Sequence, residues 1–137
     1  MEYKVLEPRD IPLMGSFTDD QNTAYDAALL QSSLEEKHAC ACIAKDGETI
    51  AGFAYGYVLP RPDGLKDFYL HAIDIQTPWQ NRGCGTELIR FIHAHAQSLG
   101  CRKLFLITDK GNPAACKCYE KAGGIRTAED DAVYVFR

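Results

Sequence analysis

Apolar residues recur along the chain with two periods, and the switches between them mark out its elements. In 84–99 the apolar positions Leu88, Ile89, Ile92, Ala96 and Leu99 fall at helical spacing, with Gly100 as the stop signal. Helices are also predicted over about 20–36 and 113–122, and strands over 3–7, 39–45, 49–60, 66–76, 102–108 and near 132–136. Lys45-Asp46-Gly47-Glu48 reads as an Asp-Gly hairpin turn, which makes the early strands antiparallel. The strand after 84–99 reads as the second half of a βαβ crossover. The result is an α/β sandwich without internal repeats.

At 137 residues and 46% hydrophobic content, the chain suits one domain spanning 1–137 with a single sizeable core. Met1-Glu2-Tyr3-Lys4 lacks a basic-then-apolar leader pattern, and no stretch approaches the roughly 20 apolar residues of a membrane span. A cytoplasmic protein without a membrane partner is expected. The net charge of −4 argues against a nucleic-acid partner and is compatible with a cationic amine ligand.

The six cysteines do not form a C-x-x-C clamp. Cys40 and Cys42 share a strand face, whereas Cys116 and Cys118 lie about 200° apart on a helix, as do His93 and His95, so no metal is expected. Cysteine in a reducing compartment reads most simply as a small buried hydrophobe. Cys84, at a helix N-terminus, is the exception and is expected to have a favoured, reactive thiolate.

The junction Gln80-Asn81-Arg82-Gly83-Cys84-Gly85-Thr86, between a strand and an amphipathic helix, suits a phosphate cradle made of main-chain N–H groups and the positive helix end. Gly85 is followed by Thr86-Glu87 rather than Lys-Ser/Thr, and the third glycine of a dinucleotide fingerprint is replaced by Leu88, so neither nucleotide loop applies. A Gln/Arg-x-x-Gly-x-Gly loop after a strand resembles motif A of the GNAT N-acetyltransferases. Downstream, Asn112-Pro113-Ala114-Ala115-Cys116-Lys117-Cys118-Tyr119-Glu120-Lys121-Ala122-Gly123 is similar to that superfamily's Asn-x-x-Ala-x-x-x-Tyr-x-Lys-x-Gly signature. The resemblance covers roughly residues 39–125. Tyr57-Val58-Leu59-Pro60-Arg61, the Tyr69 strand and Ala114 to Gly123 look like class I aminoglycoside 3-N-acetyltransferases, and Leu70-His71-Ala72-Ile73 looks like arylalkylamine N-acetyltransferases.

The resemblance implies a mixed, mostly antiparallel central sheet flanked by helices. It implies acetyl-CoA as cofactor, with its pyrophosphate on residues 80–86, its pantetheine along the main chain of Ile73 and Ile75, and Asn112 and Ala115 belonging to the second motif. Tyr119 takes the family's general-acid position, and a phenol, with an ordinary pKa of about 10, carries a proton to donate at neutrality. For the base, simple alternation puts His71 on the face of Tyr69, Ile73 and Ile75, and Asp74 on the opposite face unless a bulge re-aims it. Imidazole exchanges protons near neutrality and suits a base or water relay.

Three departures stand out. The aminoglycoside enzymes carry an aspartate where this chain has Ala72; Gly124 replaces an aromatic or aliphatic residue; and Gln80 and Asn81 replace basic residues, leaving Arg82 as the loop's cation. The expected activity is acetyl transfer to a primary amine of a small molecule, an aminoglycoside among the candidates, by direct attack rather than through Cys84 or Cys118. The alternatives are a non-catalytic acyl-CoA-binding sensor module and a protein or peptide N-acetyltransferase. Glu129-Asp130-Asp131 with Asp19, Asp20, Asp63 and Asp67 reads as a solvated set or as the acceptor rim. A C-terminal strand ending at Arg137 would leave an edge for a homodimer.

Overall fold

In the computed structural model, which describes residues 1–19, 24–128 and 130–137, one sheet contains five strands in sequence order. They are β1 (Glu2–Val5), β2 (Ala39–Asp46), β3 (Thr49–Pro60), β4 (Lys66–Ile75) and β5 (Lys103–Phe105). Strands β1 to β4 pair antiparallel and β5 joins β4 in parallel, after a crossover through α2 (Cys84–Ser98). The Asp46-Gly47 turn closes the β2–β3 hairpin at the Asp46–Thr49 pair.

Each face of the sheet has its own core. On one side, α2 and α3 (Pro113–Lys121) cover Cys40, Cys42, Ala54, Phe68 and Leu70 with Leu88, Ile89, Ile92 and Ala96. On the other, α1 (Ala27–Leu34) and a 3-10 helix over Pro8–Ser16 cover Ala41, Ile43, Ile50 and Phe53 with Ile11, Met14, Phe17 and Leu30. The periodicity of α2 is therefore real, and its end is sealed where Gly100 N–H donates to Gln97 and Cys101 N–H to Ala96, both at 3.0 Å.

The 3-10 helix is held by a fully buried carboxylate. Asp10 accepts from the Glu7 N–H at 3.0 Å and pairs with Lys4 at 2.9 Å and Lys45 at 3.3 Å, tying the N-terminal segment to β1 and β2. Two prolines, Pro8 and Pro12, limit the α-type bonds available there, and the tighter helix results.

Several predicted boundaries shift. The helix expected over 20–36 is described only as Ala27–Leu34, because Thr18 bridges Ala24 in extended form and Asp26 caps the helix by accepting from Leu29 N at 3.0 Å. Asp20 and Glu129 lie outside the described residues. The strand expected over 102–108 stops at Phe105, since its neighbour β4 changes register beyond Tyr69. The strand near 132–136 is not formed. Val133, Tyr134, Val135 and Phe136 are exposed, and three-residue β5 offers little edge to pair with.

Burial pushes the Asp10 pKa up, but Lys4, the Glu7 N–H and Lys45 outweigh it and hold the carboxyl below its ordinary value. A depressed folded-state pKa gives stability that is complete above the unfolded carboxylate value of about 4 and is lost as pH falls through the folded value. Asp10→Asn should cost roughly 2 kcal/mol at pH 7, and urea melts should show the gap to the natural protein closing as pH falls below about 4.

Candidate active site

The ladder between β3 and β4 pairs Tyr55 with Ala72 but Gly56 with Leu70, so His71 is an extra residue in β4, a β-bulge. Glycine is required opposite it. A Cβ at Gly56 would stand 2.1 Å from the Tyr69 carbonyl oxygen and 2.7 Å from the Phe68 ring. The bulge reverses the alternation of β4. Phe68 and Leu70 before it, and Ile73 and Ile75 after it, all face the α2 core, whereas Asp74 pairs with Phe53 on the α1 side. The expectation that His71 shares a face with Ile73 and Ile75, opposite Asp74, is thus reversed: His71 and Asp74 share one face and the isoleucines take the other.

His71 is exposed and set among aromatic rings. It stacks on Tyr55 (5.3 Å between centroids, 28°) and meets Tyr69 (5.6 Å, 90°) and Tyr57 (6.4 Å, 82°) edge-on. Tyr69 continues the row to Phe105 at 5.3 Å. Burial, then Tyr57, Asp74, Asp19 and Tyr69, raise the Tyr55 pKa, so both carboxylates lie within electrostatic range of this face. Sequence reasoning missed Tyr55 and the role of Gly56, although a glycine inside a strand is a signal for a bulge or a close backbone approach.

Pairing of β4 with β5 covers only Asp67–Tyr69 against Lys103–Phe105. From Leu70 onward, among the described residues, no strand lies on that side of β4, and the main chain of Ile73 and Ile75 borders a fork. The loop of residues 80–86 closes one end of it. Gln80 Nε2 donates to the Ile75 carbonyl at 2.9 Å, and Trp79 Nε1 anchors the preceding turn to Asp46 at 3.0 Å. Asn81 and Gly83 take left-handed φ of 61° and 83°, and Gly83 is the N-cap of α2 with no side chain capping it. The N–H groups of Cys84, Gly85 and Thr86 therefore have no acceptor within the helix, beside exposed Asn81 and Arg82. These residues fit a pyrophosphate. Gly85 has a further cause: a Cβ there would meet Cys118 Sγ at 3.2 Å, so its absence lets α3 approach α2.

Asn112 is the N-cap of α3, accepting from Ala115 N at 3.1 Å, which gives the Asn-x-x-Ala spacing a structural cause of its own. The helix ends with Gly123 N–H donating to Glu120 and Gly124 N–H to Tyr119, at 3.0 and 2.9 Å. A Cβ at Gly124 would stand 2.9 Å from the Tyr119 carbonyl oxygen, so the departure from the family pattern matches this tight turn. Tyr119 is half-buried against the α2 core. Burial first, then Cys118, Asp74 and Cys116, push its phenol above the ordinary value. Asp74 therefore acts electrostatically on both Tyr119 and Tyr55.

Cys84 corrects an expectation. It is buried and shares a hydrogen bond with the Tyr3 hydroxyl, and burial raises its pKa, so desolvation outweighs the helix end and no reactive thiolate is favoured. Asp63 and Asp67 are engaged by Arg61 and Arg102 at 2.6 and 2.8 Å, and Asp19 and Asp74 act on Tyr55 of the aromatic face. His93 is exposed, and His95 lines a cavity of about 390 Å³ with Lys37, His38 and Lys66. Neither the 80–86 loop nor His71 lines that cavity. Among the described residues, no group of three His, Cys, Asp or Glu is placed to hold a metal, and no helix is long and apolar enough to cross a membrane.

If the bulge sets the site, Gly56→Ala should destabilise the fold by about 2–3 kcal/mol, because the clash is with backbone. In urea unfolding, Gly52→Ala should cost less, since its nearest contact is the end of the Ile75 side chain.

The geometry agrees with comparisons to known proteins. The acetyltransferase (GNAT) family model matches residues 10–124. A mycothiol acetyltransferase of Corynebacterium glutamicum is 34% identical over 89 residues, covering 65% of this chain, and the chain spans 29% of that protein's length. An aminoglycoside acetyltransferase from an uncultured soil metagenomic sample, solved with sisomicin, superposes with a TM-score of 0.80 at 21% identity, over 99% of this chain and 94% of that one. A ribosomal-protein-alanine N-acetyltransferase from Brucella melitensis gives 0.79 at 24% identity, over 100% and 99%. By the family match across most of its length, and in keeping with the forked sheet and uncapped helix end, this chain belongs to the GNAT family of acetyltransferases.

Proposed function

We propose that this protein transfers acetyl from acetyl-CoA to a primary amine of a small molecule by direct attack of the amine. The observation that carries the reading is the bulge at His71, which puts two proton-accepting side chains, His71 and Asp74, on one face beside the β4–β5 fork. When bound, acetyl-CoA supplies an activated thioester carbonyl. Gln80, Asn81, Arg82, Gly83, Cys84, Gly85 and Thr86 hold its pyrophosphate through backbone donors and one cation. Ile73 and Ile75 offer main-chain groups to the pantetheine, and Asn112 and Ala115 fix the start of α3 and so the placement of Tyr119.

The side chains divide the proton work. His71, or Asp74 directly or through water, accepts the proton lost by the amine, and Tyr119 Oη gives its proton to the departing sulfur. Its raised pKa keeps Tyr119 protonated through the neutral range, as an acid must be. Cys118 takes no covalent part: its thiol faces Thr86 Oγ1 at 3.7 Å in the helix–helix contact. An aminoglycoside acceptor is supported by the fold shared with the sisomicin-bound enzyme and weakened by Ala72.

The test is CoA release with a mass-spectrometric search for acetylated product across aminoglycosides, polyamines, arylalkylamines and short peptides. Acetylated small amines are expected, with Tyr119→Phe lowering kcat about 100-fold at an unchanged KM for acetyl-CoA. Cofactor binding without product from any amine would make the protein a binding module instead.

A further inference from the structure

Next to the bulge, between α1 and β3, lies a cavity of about 290 Å³ lined chiefly by Tyr25, Leu29, Leu30, Phe53, Tyr55 and Tyr57. Two of these rings, Tyr55 and Tyr57, also touch His71. A row of aromatic contacts runs along the cavity wall to His71, which stands outside the lining: Tyr25 on Phe53 at 5.3 Å, Phe53 on Tyr55 at 5.5 Å, and Tyr55 on His71 at 5.3 Å. Nothing in the acetyl-transfer chemistry requires such a wall, because the cofactor and proton steps use β4, the glycine loop and α3.

We infer that the acceptor is a single primary amine carried on one aromatic or comparably apolar ring, with the ring in this cavity and the amine at His71 and Asp74. The inference rests on the proposed acetyl transfer and names its substrate class. Volume supports it: 290 Å³ is at the bottom of the roughly 300–1,000 Å³ range of pockets for drug-sized ligands, which suits one ring and a short arm. Lining chemistry supports it too. The carboxylate in the wall, Asp26, already accepts from Leu29 N, so the hydroxyls and extra ammonium groups of a polycationic sugar would meet rings and leucines.

Steady-state CoA release should be compared for 2-phenylethylamine, spermidine and gentamicin in the natural protein and in Leu29→Trp, which narrows the cavity from an exposed helix position. The expected result is a kcat/KM for 2-phenylethylamine at least tenfold above the other two. Leu29→Trp should raise the KM for that amine about tenfold and leave the KM for acetyl-CoA unchanged. A preference for spermidine or gentamicin, or indifference to Leu29→Trp, overturns the substrate class while leaving acetyl transfer intact. No CoA release with any of the three, together with acetyl-CoA binding by equilibrium dialysis, overturns both.

Discussion

One extra residue in β4 organises this molecule. Because a strand alternates faces every residue, inserting His71 exchanges the faces of everything that follows it. Without it, Ile73 and Ile75 would leave the α2 core and Asp74 would enter it, at the cost of burying a carboxylate among apolar side chains. The bulge also coincides with the end of β5 pairing, so the same irregularity that aims the side chains opens the fork beside them. Gly56 permits it by letting the Tyr69 carbonyl come where a Cβ would be. Stacking of His71 on Tyr55, with Tyr57 and Tyr69 at its edges, offsets part of the lost ladder.

A bulge fixes side chains only if the strands around it are rigid. Here β3 is paired on both sides over Gly52–Tyr57, with β2 and with β4, and is covered by a separate core on each face. The Asp10 network secures the outer strands through Lys4 and Lys45, and Trp79 pins the chain entering the glycine loop to the β2–β3 turn. On the other side, Arg90 donates to the Lys121 carbonyl at 3.1 Å and joins α2 to the end of α3. The tyrosine of one helix is thereby held in register with the loop that starts the other.

Elements governed by a single period were legible in the sequence. Leu88, Ile89, Ile92 and Ala96 specify α2 by spacing alone, and the Asp46-Gly47 turn fixes its hairpin. The two motifs coincide with the uncapped start of α2 and with the capped helix α3. Illegible were the features that depend on partners distant in sequence. The face of Asp74 depends on a bulge, which strict alternation hides, though Gly56 between two tyrosines was its sign. The 3-10 helix depends on Asp10 finding lysines from two strands, and the reactivity of Cys84 depends on its burial under the fold, which outweighs the helix end. The alternating Val133 to Phe136 segment looks like a strand, but an edge strand exists only where there is an edge to pair with.

The two halves of the site differ in what they ask of sequence. The loop and fork consist largely of backbone: a left-handed glycine, three uncapped N–H groups and an open strand border. The fold itself survives extensive side-chain replacement, as the TM-score of 0.80 at 21% identity shows. The face around His71 is made of side chains. Relative to the aminoglycoside enzymes that this chain resembles, the carboxylate at position 72 is replaced by a methyl group opposite Tyr55, and Asp74 occupies the next position on the same face. The same reversal of alternation that turns Asp74 to the α1 side of the sheet sets His71 among the rings of Tyr55, Tyr57 and Tyr69.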